Sequence, residues 1–320
     1  MKPMAFVFPG QGSQSVGMLD AWGDHPAVRE TVQQASDALG EDLGALIAQG
    51  PKEALALTTN TQPVMLVAGV ACWRAWQAEG GAMPAAMAGH SLGEYSALVA
   101  AGALSLEAAV PLVRLRAAAM QQAVPVGTGA MAAILGLDAC KVIAGCEEVT
   151  RALGQNATEV VEAVNFNDPV QTVIAGTKAA VDKACEVLKG MGAKRALLLP
   201  VSAPFHSSLM KPAAERLKLA LAEVAFAKPV VPVVNNIDVV IEDEPERIRD
   251  ALYRQAFGPV RWVECVHKIK AMGLHTVVEC GPGKVLAGMT KRIDAELTGL
   301  AMYDPDTLAQ VKAEVEALPA

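Results

Sequence analysis

The sequence predicts an α/β protein that has a parallel sheet and a smaller inserted unit. Short apolar runs alternate with long helical patterns over most of the 320 residues, and one internal stretch has a different order of strands and helices. The chain is also longer than one core usually needs, so a large domain with an insertion or addition is expected.

The first part of the large domain alternates strands and helices. Residues 5–8 form a strand-like apolar run, helical patterns follow through residue 54 and over 63–77, and a short apolar run precedes Gly89. Helices are expected around residues 97–102 and over 106–122. Turn residues at 125–129 then interrupt the pattern, and we expect a domain boundary there.

The inserted unit is expected between that turn and residue 201. Its elements are a strand at 130–137, a helix at 138–149, strands at 160–166 and 172–175, a helix at 177–191 and a strand at 196–201. This βαββαβ order is typical of a ferredoxin-like unit. We therefore expect a ferredoxin-like subdomain at 128–201 within a discontinuous α/β domain of residues 1–127 and 202–320. Residues 276–279 are expected to form its last strand, before a turn at 281–283 and a helix from Val285.

Charge and composition argue against several classes of protein. The formal net charge is −7 and no run of five basic residues occurs, so neither nucleic acid nor a membrane surface is expected as the main partner. No apolar run approaches the roughly 18 residues of a spanning helix, and no signal-peptide core follows the first residues, so we expect a cytoplasmic protein. The six cysteines form no CxxC pair, so neither a zinc site nor a disulfide framework is expected.

The motif Gly89-His90-Ser91-Leu92-Gly93 is a G-x-S-x-G sequence between an expected strand and an expected helix. It predicts a tight turn that projects the serine hydroxyl into a cleft, with glycines where β-carbons would collide. The Leu92 N–H would lie at the start of the helix, where unpaired donors favour a developing oxyanion. The pentapeptide also occurs by chance, and its flanking elements favour the catalytic interpretation.

An activated serine needs a base, and His206 is the predicted one. It follows the strand expected to end at 201, in a loop at the carboxyl end of a sheet, where the ligands of α/β folds gather. The other histidines occupy a polar loop, the serine turn itself, and amphipathic or strand-edge positions: they are His25, His90, His267 and His275.

A series of short motifs runs in order through nearly the whole chain. They are residues 8–14, Thr61-Gln62-Pro63, residues 89–95, Arg116 ahead of Met120-Gln121, Asn165-Phe166-Asn167, residues 202–206 with Ser202 and His206 at their ends, and residues 279–284. These motifs resemble those of the malonyl-CoA:acyl carrier protein transacylase family. The resemblance implies an α/β-hydrolase-like large domain with a ferredoxin-like insertion.

The resemblance also implies how the catalytic residues act. Ser91 would be the nucleophile and His206 its base, and the backbone N–H groups of Gln11 and Leu92 would form an oxyanion hole. The backbone carbonyl of Gln255 would orient the imidazole in place of an acid. Since that role needs only a main-chain oxygen, the Gln255 side chain is expected to be replaceable.

Arg116 would hold the malonyl carboxylate, because a planar guanidinium matches a carboxylate with paired charge-assisted hydrogen bonds. Arg114 is its competitor, but residues two apart on a helix face different directions and the motif favours Arg116. Further pocket-lining residues implied by the motifs are Gln62, His90, Asn165 and Asn167. Plain turn chemistry beside Asp168-Pro169 explains the two asparagines equally well.

The implied reaction is a ping-pong transfer of malonyl from malonyl-CoA to the phosphopantetheine thiol of holo acyl carrier protein, for fatty acid biosynthesis, without a metal or redox cofactor. Carrier proteins are generally acidic, so a basic docking patch is expected. It would be drawn from Lys189, Lys194, Arg195, Lys291 and Arg292. A monomer is expected.

Two other functions stay open at this level. A thioesterase or carboxylesterase could use the same Ser-His pair with water as the acceptor, although Arg116 argues against a general esterase. An acyl-binding or scaffold protein would have an idle serine. The run Gly281-Pro282-Gly283-Lys284 is similar to a phosphate-binding loop but lacks its first glycine and the following Ser or Thr, so no nucleotide site is expected.

Overall fold

The computed structural model describes residues 3–154, 159–201 and 203–317. The strands within these ranges are β1 (Met4–Phe8), β2 (Ala86–Gly89), β3 (Gly129–Leu135), β4 (Val161–Asp168), β5 (Gln171–Thr177), β6 (Arg195–Leu198), β7 (Val233–Val234), β8 (Thr276–Cys280) and β9 (Thr298–Met302). They form a five-stranded sheet in the order β7-β2-β1-β8-β9 and a four-stranded sheet in the order β4-β5-β3-β6.

The α-helices of the described ranges cover the rest of the core. They are α1 (Pro26–Leu39), α2 (Leu43–Gln49), α3 (Lys52–Ala56), α4 (Thr58–Ala78), α5 (Gly93–Ala100), α6 (Leu106–Gln122), α7 (Ala139–Leu153), α8 (Lys178–Gly190), α9 (Lys211–Glu223), α10 (Pro245–Gln255), α11 (Trp262–Ala271), α12 (Val285–Ile293) and α13 (Pro305–Ala317). None of these helices combines the length and apolar character needed to cross a bilayer.

The five-stranded sheet is parallel throughout. Strands β1, β2 and β8 are buried at every position, which is typical of central parallel strands covered on both faces by helices. The predicted α/β fold with a parallel sheet is therefore confirmed. Because parallel strands end at the same edge, the loops after β1, β2, β7 and β8 meet there.

The four-stranded sheet is antiparallel, and its elements follow in the order β3, α7, β4, β5, α8, β6. One face packs against α7 and α8 through residues such as Val142, Val181 and Leu188. The other face packs against the end of α6 and the loop after β6, through Met120 and Phe205. The His206 loop therefore lies against this face of the four-stranded sheet.

Strand β4 attaches the four-stranded sheet to the rest of the chain. The Phe166 N–H donates to the carbonyl oxygen of Val260 at 3.0 Å, and the Val260 N–H donates to that of Val164 at 2.8 Å. Arg292 of α12 reaches Asp168 with its Nε, 2.9 Å from a carboxylate oxygen. These contacts hold β4 beside the loop that precedes α11.

Residues 276–279 do not form the last strand, because β9 follows and pairs with β8. Strand β9 lies at the sheet edge and is only partly buried, so neither a continuous apolar run nor a clear alternation marks it in the sequence. A β-carbon on Gly299 would lie 2.3 Å from the Ala287 carbonyl oxygen, so α12 packs directly on this strand. The expected domain start at Ser202 lies outside the described residues, and the domain division stays a prediction.

Candidate active site

Ser91 lies on the tight turn between β2 and α5, at the carboxyl edge of the parallel sheet. Its φ is 53°, a left-handed value that a residue with a side chain adopts only when its surroundings hold it. A β-carbon on Gly89 would lie 1.9 Å from the Gly93 carbonyl group, and one on Gly93 would lie 2.0 Å from the Phe8 carbonyl oxygen. Close backbone packing therefore requires both glycines of the motif.

His206 is within hydrogen-bond distance of the Ser91 hydroxyl. Its Nε2 lies 2.7 Å from Ser91 Oγ, and its Nδ1 lies 2.9 Å from the carbonyl oxygen of Gln255. A carbonyl can only accept, so Nδ1 carries the proton and Nε2 is free to accept from the hydroxyl. A main-chain carbonyl thus takes the place that an aspartate has in a Ser-His-Asp triad.

Burial, and to a smaller extent the nearby charge of Arg116, lower the pKa of His206 to about 3. The imidazole is therefore neutral at neutral pH, which is the form that accepts a proton. The hydrogen bond from Nδ1 to Gln255 acts in the opposite direction and raises the pKa. The balance favours a neutral base.

Arg116 is 1% exposed and lies beside the nucleophile. Its Nη2 donates to Ser91 Oγ at 3.2 Å and to the Gln255 side-chain oxygen at 3.0 Å. Its Nη1 donates to the side-chain oxygen of Gln62 at 2.8 Å. The side chains of the two glutamines therefore hold one guanidinium against the serine hydroxyl.

Arg114 takes a different direction, as its position two residues away on α6 requires. It forms an ion pair with Glu41 at 2.6 Å, on a partly exposed surface. Only Arg116 of these two arginines contacts Ser91 in the described chain.

The two N–H groups expected in the oxyanion hole lie on neighbouring loops. Leu92 stands at the start of α5, and Gln11 follows β1, the strand next to β2. The loops touch: the His90 N–H donates to Phe8 O at 3.0 Å, and a β-carbon on Gly10 would lie 2.5 Å from His90 O. Within the described ranges neither the Leu92 nor the Gln11 N–H donates to a protein acceptor. Both remain available to a ligand.

Asn165 and Asn167 lie within β4, so the turn interpretation of this pair is wrong. The side-chain oxygen of Asn167 is 2.8 Å from His90 Nε2, which links β4 to the serine turn. Asn165 pairs through its backbone with Val260. Burial lowers the pKa of His90, so this histidine acts as a neutral hydrogen-bonding group.

The contacts of the Gln255 side chain argue against the expectation that it is replaceable. Its Nε2 donates to the Ser91 carbonyl oxygen at 3.0 Å and to Glu94 at 2.9 Å, while its oxygen accepts from Arg116. Sequence reasoning also missed Asn236, whose side-chain oxygen accepts from the Ser91 N–H at 2.7 Å. The only sequence signal for Asn236 is that it closely follows an apolar run, where a strand would end at the active edge.

Comparison with known proteins shows the family of the chain. The family described as an acyl transferase domain matches residues 5–300. The chain belongs to the acyl transferase family. It is therefore an acyltransferase, and the scaffold alternative is wrong.

Among the residues that the structure describes, no group of three or more His, Cys, Asp or Glu side chains could hold a metal ion.

Relatives of this acyl transferase match over almost its whole length. The malonyl CoA-acyl carrier protein transacylase of Salmonella typhimurium is 55% identical over 310 residues, covering 97% of this chain and 98% of that protein. The crystal structure of an acyl-carrier-protein S-malonyltransferase from Burkholderia pseudomallei is 63% identical with a TM-score of 0.94, covering 97% of this chain and 99% of that one. A malonyl-transacylase solved in complex with its holo type II PKS acyl-carrier protein is 50% identical with a TM-score of 0.94, covering 98% and 100%.

Proposed function

We propose that this acyltransferase moves a malonyl group from malonyl-CoA to the phosphopantetheine thiol of holo acyl carrier protein and so supplies fatty acid biosynthesis. The observation that carries the proposal is the buried Arg116 guanidinium, 3.2 Å from the hydroxyl of a serine that is paired with a neutral histidine. A nucleophile and a carboxylate partner thus share one pocket. The names of the relatives support the same donor and acceptor.

The first half-reaction loads Ser91. His206 Nε2 takes the hydroxyl proton while Ser91 Oγ attacks the thioester carbonyl of malonyl-CoA. The oxyanion that forms accepts hydrogen bonds from the N–H groups of Gln11 and Leu92. When the C–S bond breaks, the proton on His206 passes to the CoA sulfur, which leaves a malonyl ester on Ser91.

The second half-reaction unloads Ser91. The thiol of the carrier gives its proton to His206 as its sulfur attacks the ester carbonyl. When the bond to Ser91 Oγ breaks, His206 returns the proton to the serine. Protons and acyl group balance over the two steps, so the reaction needs no metal or redox cofactor.

Arg116 selects the acyl group. Its charge-assisted hydrogen bonds to a carboxylate are roughly twice as strong as neutral ones, and burial keeps competing water away. The hydrogen bonds that Arg116 donates to the side-chain oxygens of Gln62 and Gln255 keep the guanidinium in place before the substrate arrives. An acyl group without a carboxylate would leave this buried charge unpaired, which is costly.

We also propose that residues 128–201 form a ferredoxin-like subdomain, inserted into an α/β-hydrolase-like domain of residues 1–127 and 202–320. Two observations support the division. The unit has the βαββαβ element order and an antiparallel sheet, whereas the other sheet is parallel. Its two helices share a separate apolar cluster with β3, β4 and β5.

The acidic carrier docks on the proposed basic patch. The register pairs Asp168 with Gln171, Gln171 with Leu135, and Leu135 with Arg195, so these residues form one row across the four-stranded sheet. Three strand spacings make this row about 14 Å long. Arg292 binds Asp168 at one end of the row, and Arg195 lies at the other. Lys189, Lys194 and Lys291 are close in sequence to these two arginines. The enzyme acts as a monomer in this proposal.

Charge reversal tests the patch. Lys291→Glu with Arg292→Glu is expected to raise the KM for the carrier about tenfold, while loading of Ser91 by malonyl-CoA is unchanged. Because Arg292 also binds Asp168, Lys194→Glu with Arg195→Glu serves as a second pair that leaves this contact intact. Transfer kinetics that are unchanged in both pairs would count against the patch.

The function itself is tested by the intact mass of holo carrier protein after incubation with malonyl-CoA and the enzyme, with Ser91→Ala in parallel. A mass gain of one malonyl group, absent with the variant, is expected. An unmodified carrier together with free malonate would instead indicate the thioesterase reaction.

A further inference from the structure

Asn236 lies beside the serine turn because of the order of strands in the parallel sheet. Strand β7 pairs with β2, and the partners Met87 with Val233 and Ala88 with Val234 fix the register. Ser91 comes two residues after β2, and Asn236 comes two residues after β7. The two loops therefore leave the same edge of the sheet side by side.

The Asn236 side chain binds the backbone on both sides of the turn. Its oxygen accepts from the Ser91 N–H at 2.7 Å, and its nitrogen donates to the Gly89 carbonyl oxygen at 2.8 Å. A flipped amide would set donor against donor and acceptor against acceptor, so the backbone determines its orientation. Since Asn236 is 0% exposed, water cannot replace either contact. Both hydrogen bonds support a turn in which Ser91 has a left-handed φ.

Glu94 connects Asn236 to the rest of the site. One of its carboxylate oxygens accepts from the Asn236 N–H at 2.9 Å and from Gln255 Nε2 at 2.9 Å. Gln255 in turn holds His206 through its main-chain oxygen and Arg116 through its side-chain oxygen. One oxygen of Glu94 therefore binds both Asn236, which holds the Ser91 turn, and Gln255, which holds His206 and Arg116.

A plain helix cap does not account for Glu94. An acidic residue in the first turn of a helix usually interacts with the N–H groups of that helix. Both partners of Glu94 come from other elements, 142 and 161 residues away in the chain. Burial raises the pKa of Glu94 to about 7, and the hydrogen bonds from Gln255 and Asn236 oppose that change. The two hydrogen bonds thus offset part of the cost of burying this side chain.

We propose that Asn236 and Glu94 are positioning residues for acyl transfer: Asn236 holds the serine turn in its reactive shape, and Glu94 sets the orientation of Asn236 and Gln255. The chemical step they serve is the one proposed above. Neither side chain touches the reacting atoms, so their loss lowers the reactivity of Ser91 and not the binding of malonyl-CoA.

The test compares Asn236→Ala with Asn235→Ala. Asn235 is the matched control, because it is the adjacent buried asparagine and accepts through its side-chain oxygen from the N–H groups of Asp238 and Val239. Two quantities are measured: the rate at which a fluorophosphonate probe labels Ser91, and the kcat and KM of malonyl transfer. Each rate is divided by the folded fraction obtained from chemical unfolding.

Asn236→Ala is expected to lower both the labelling rate and kcat by about 100-fold, the size of effect that a small misplacement of a catalytic group produces. The KM for malonyl-CoA stays within about threefold of the wild type. Asn235→Ala keeps the labelling rate within about threefold. If Asn236→Ala does not fold, the labelling rate and kcat of Asn236→Asp are measured in its place. This variant retains the acceptor for the Ser91 N–H and replaces the donor to the Gly89 carbonyl with an oxygen.

Glu94 is tested by a loss and a rescue. Glu94→Ala removes the shared acceptor and is expected to slow labelling about 30-fold, whereas Glu94→Gln supplies an oxygen in the same place and recovers most of the rate. A purely structural role for Glu94 would change stability in both variants and leave the corrected labelling rate unchanged.

The proposal is overturned if the corrected labelling rates of both Asn236 variants stay within about threefold of the wild type, or if Asn235→Ala loses as much as Asn236→Ala. Labelling does not depend on the substrate, so the proposed function can fail separately. A wild-type protein that is labelled at Ser91 but transfers no malonyl would contradict the function, and the comparison of labelling rates would still decide the role of Asn236.

Discussion

Two strand-turn-helix units flank β1 in the parallel sheet, and they differ in whether an N–H group at the start of the helix already has an acceptor. In one unit β2 leads to α5, and the Leu92 N–H at the helix start donates to no acceptor in the described chain. In the other, β8 leads to α12, and the Ala287 N–H donates to the Glu279 carboxylate at 2.8 Å. Both turns contain glycines in close contact with neighbouring groups.

The difference shows how a single acidic residue changes the use of a turn. A helix N-terminus presents free N–H groups and a partial positive charge, which attract an anion. The carboxyl group of Glu279 occupies that position from within the chain and accepts from the Ala287 N–H, so we assign the second unit a structural role. Residues 281–284 resemble a phosphate-binding loop, but the helix that follows them binds a carboxyl group of this chain. In the first unit the acid of the first helical turn, Glu94, accepts from Asn236 and Gln255 and not from the N–H groups of α5, so the Leu92 N–H is open to an oxyanion.

The buried glutamates of the two units differ in their partners and not in their burial. Burial raises the pKa of both Glu94 and Glu279 to about 7. Glu94 accepts hydrogen bonds from the groups that surround Ser91, whereas Glu279 accepts from the backbone of α12. We therefore expect changes in the first unit to affect catalysis and changes in the second to affect stability.

Removal of His206, the base that contacts Ser91 of the first unit, has the largest expected effect. His206→Ala should lower kcat by about 1,000-fold, since general acid–base catalysis contributes roughly 100- to 10,000-fold. His267→Ala, on the exposed surface of α11, is the control and should leave kcat unchanged. A His206→Ala enzyme that keeps a tenth of its activity would show that another group activates Ser91.

Loss of the Gln255 side chain is expected to have the next largest effect. Gln255→Ala retains the main-chain oxygen that binds His206 but removes the contacts to Arg116, Ser91 and Glu94. The buried partners left unpaired should reduce kcat/KM by about 30-fold. Arg247→Gln, on the exposed surface of the same helix, is the control. Full activity of Gln255→Ala would mean that only the main-chain oxygen matters.

The pH dependence of Ser91 labelling separates the two causes of the low His206 pKa. Burial and the Arg116 charge keep the imidazole neutral, so the wild-type labelling rate should stay constant between about pH 8 and pH 5. In Arg116→Gln the charge is gone and the pKa of His206 rises, so labelling should begin to fall at a higher pH. Arg114→Gln should behave like the wild type. The same acid limb in all three proteins would remove Arg116 as a cause.

Glu279→Gln should have the smallest effect on catalysis, with kcat within about threefold of the wild type. Its effect is expected on the free energy of unfolding. Because its pKa is raised, Glu279 of the folded protein keeps its proton up to about pH 7, whereas Glu279 of the unfolded chain loses its proton near pH 4.5. The contribution of this proton to the free energy of unfolding is therefore full below pH 4.5 and disappears as the pH rises through 7. The variant should therefore lose less unfolding free energy between pH 5 and pH 8 than the wild type.

Chemical unfolding at the two pH values measures this difference, which is about 3 kcal/mol at most. Glu30→Gln, an exposed position on α1, is the control and should behave like the wild type. An equal loss in Glu279→Gln and the wild type would contradict the assignment of this pH dependence to Glu279.

Much of the local structure could be predicted because its causes are local. The expected helix over residues 106–122 has the same bounds as α6, which begins after a Ser105 cap whose oxygen accepts from the Ala108 N–H. The serine turn was recognisable because its glycines are required by the turn itself. Edge strand β9 was not, since its partial burial leaves no regular pattern.

The sequence by itself determined the α/β class, the βαββαβ order of elements between residues 129 and 198, the serine turn and the separation of Arg114 from Arg116. These features could be predicted because periodicity, turn chemistry and helix geometry act over a few residues. Only the tertiary structure decided which polar groups surround Ser91. The Asn236 and Gln255 contacts with Ser91 join positions 145 and 164 residues apart. Such contacts follow from the order in which strands meet in the sheet, and the pairing of β7 with β2 is what places Asn236 against the serine turn.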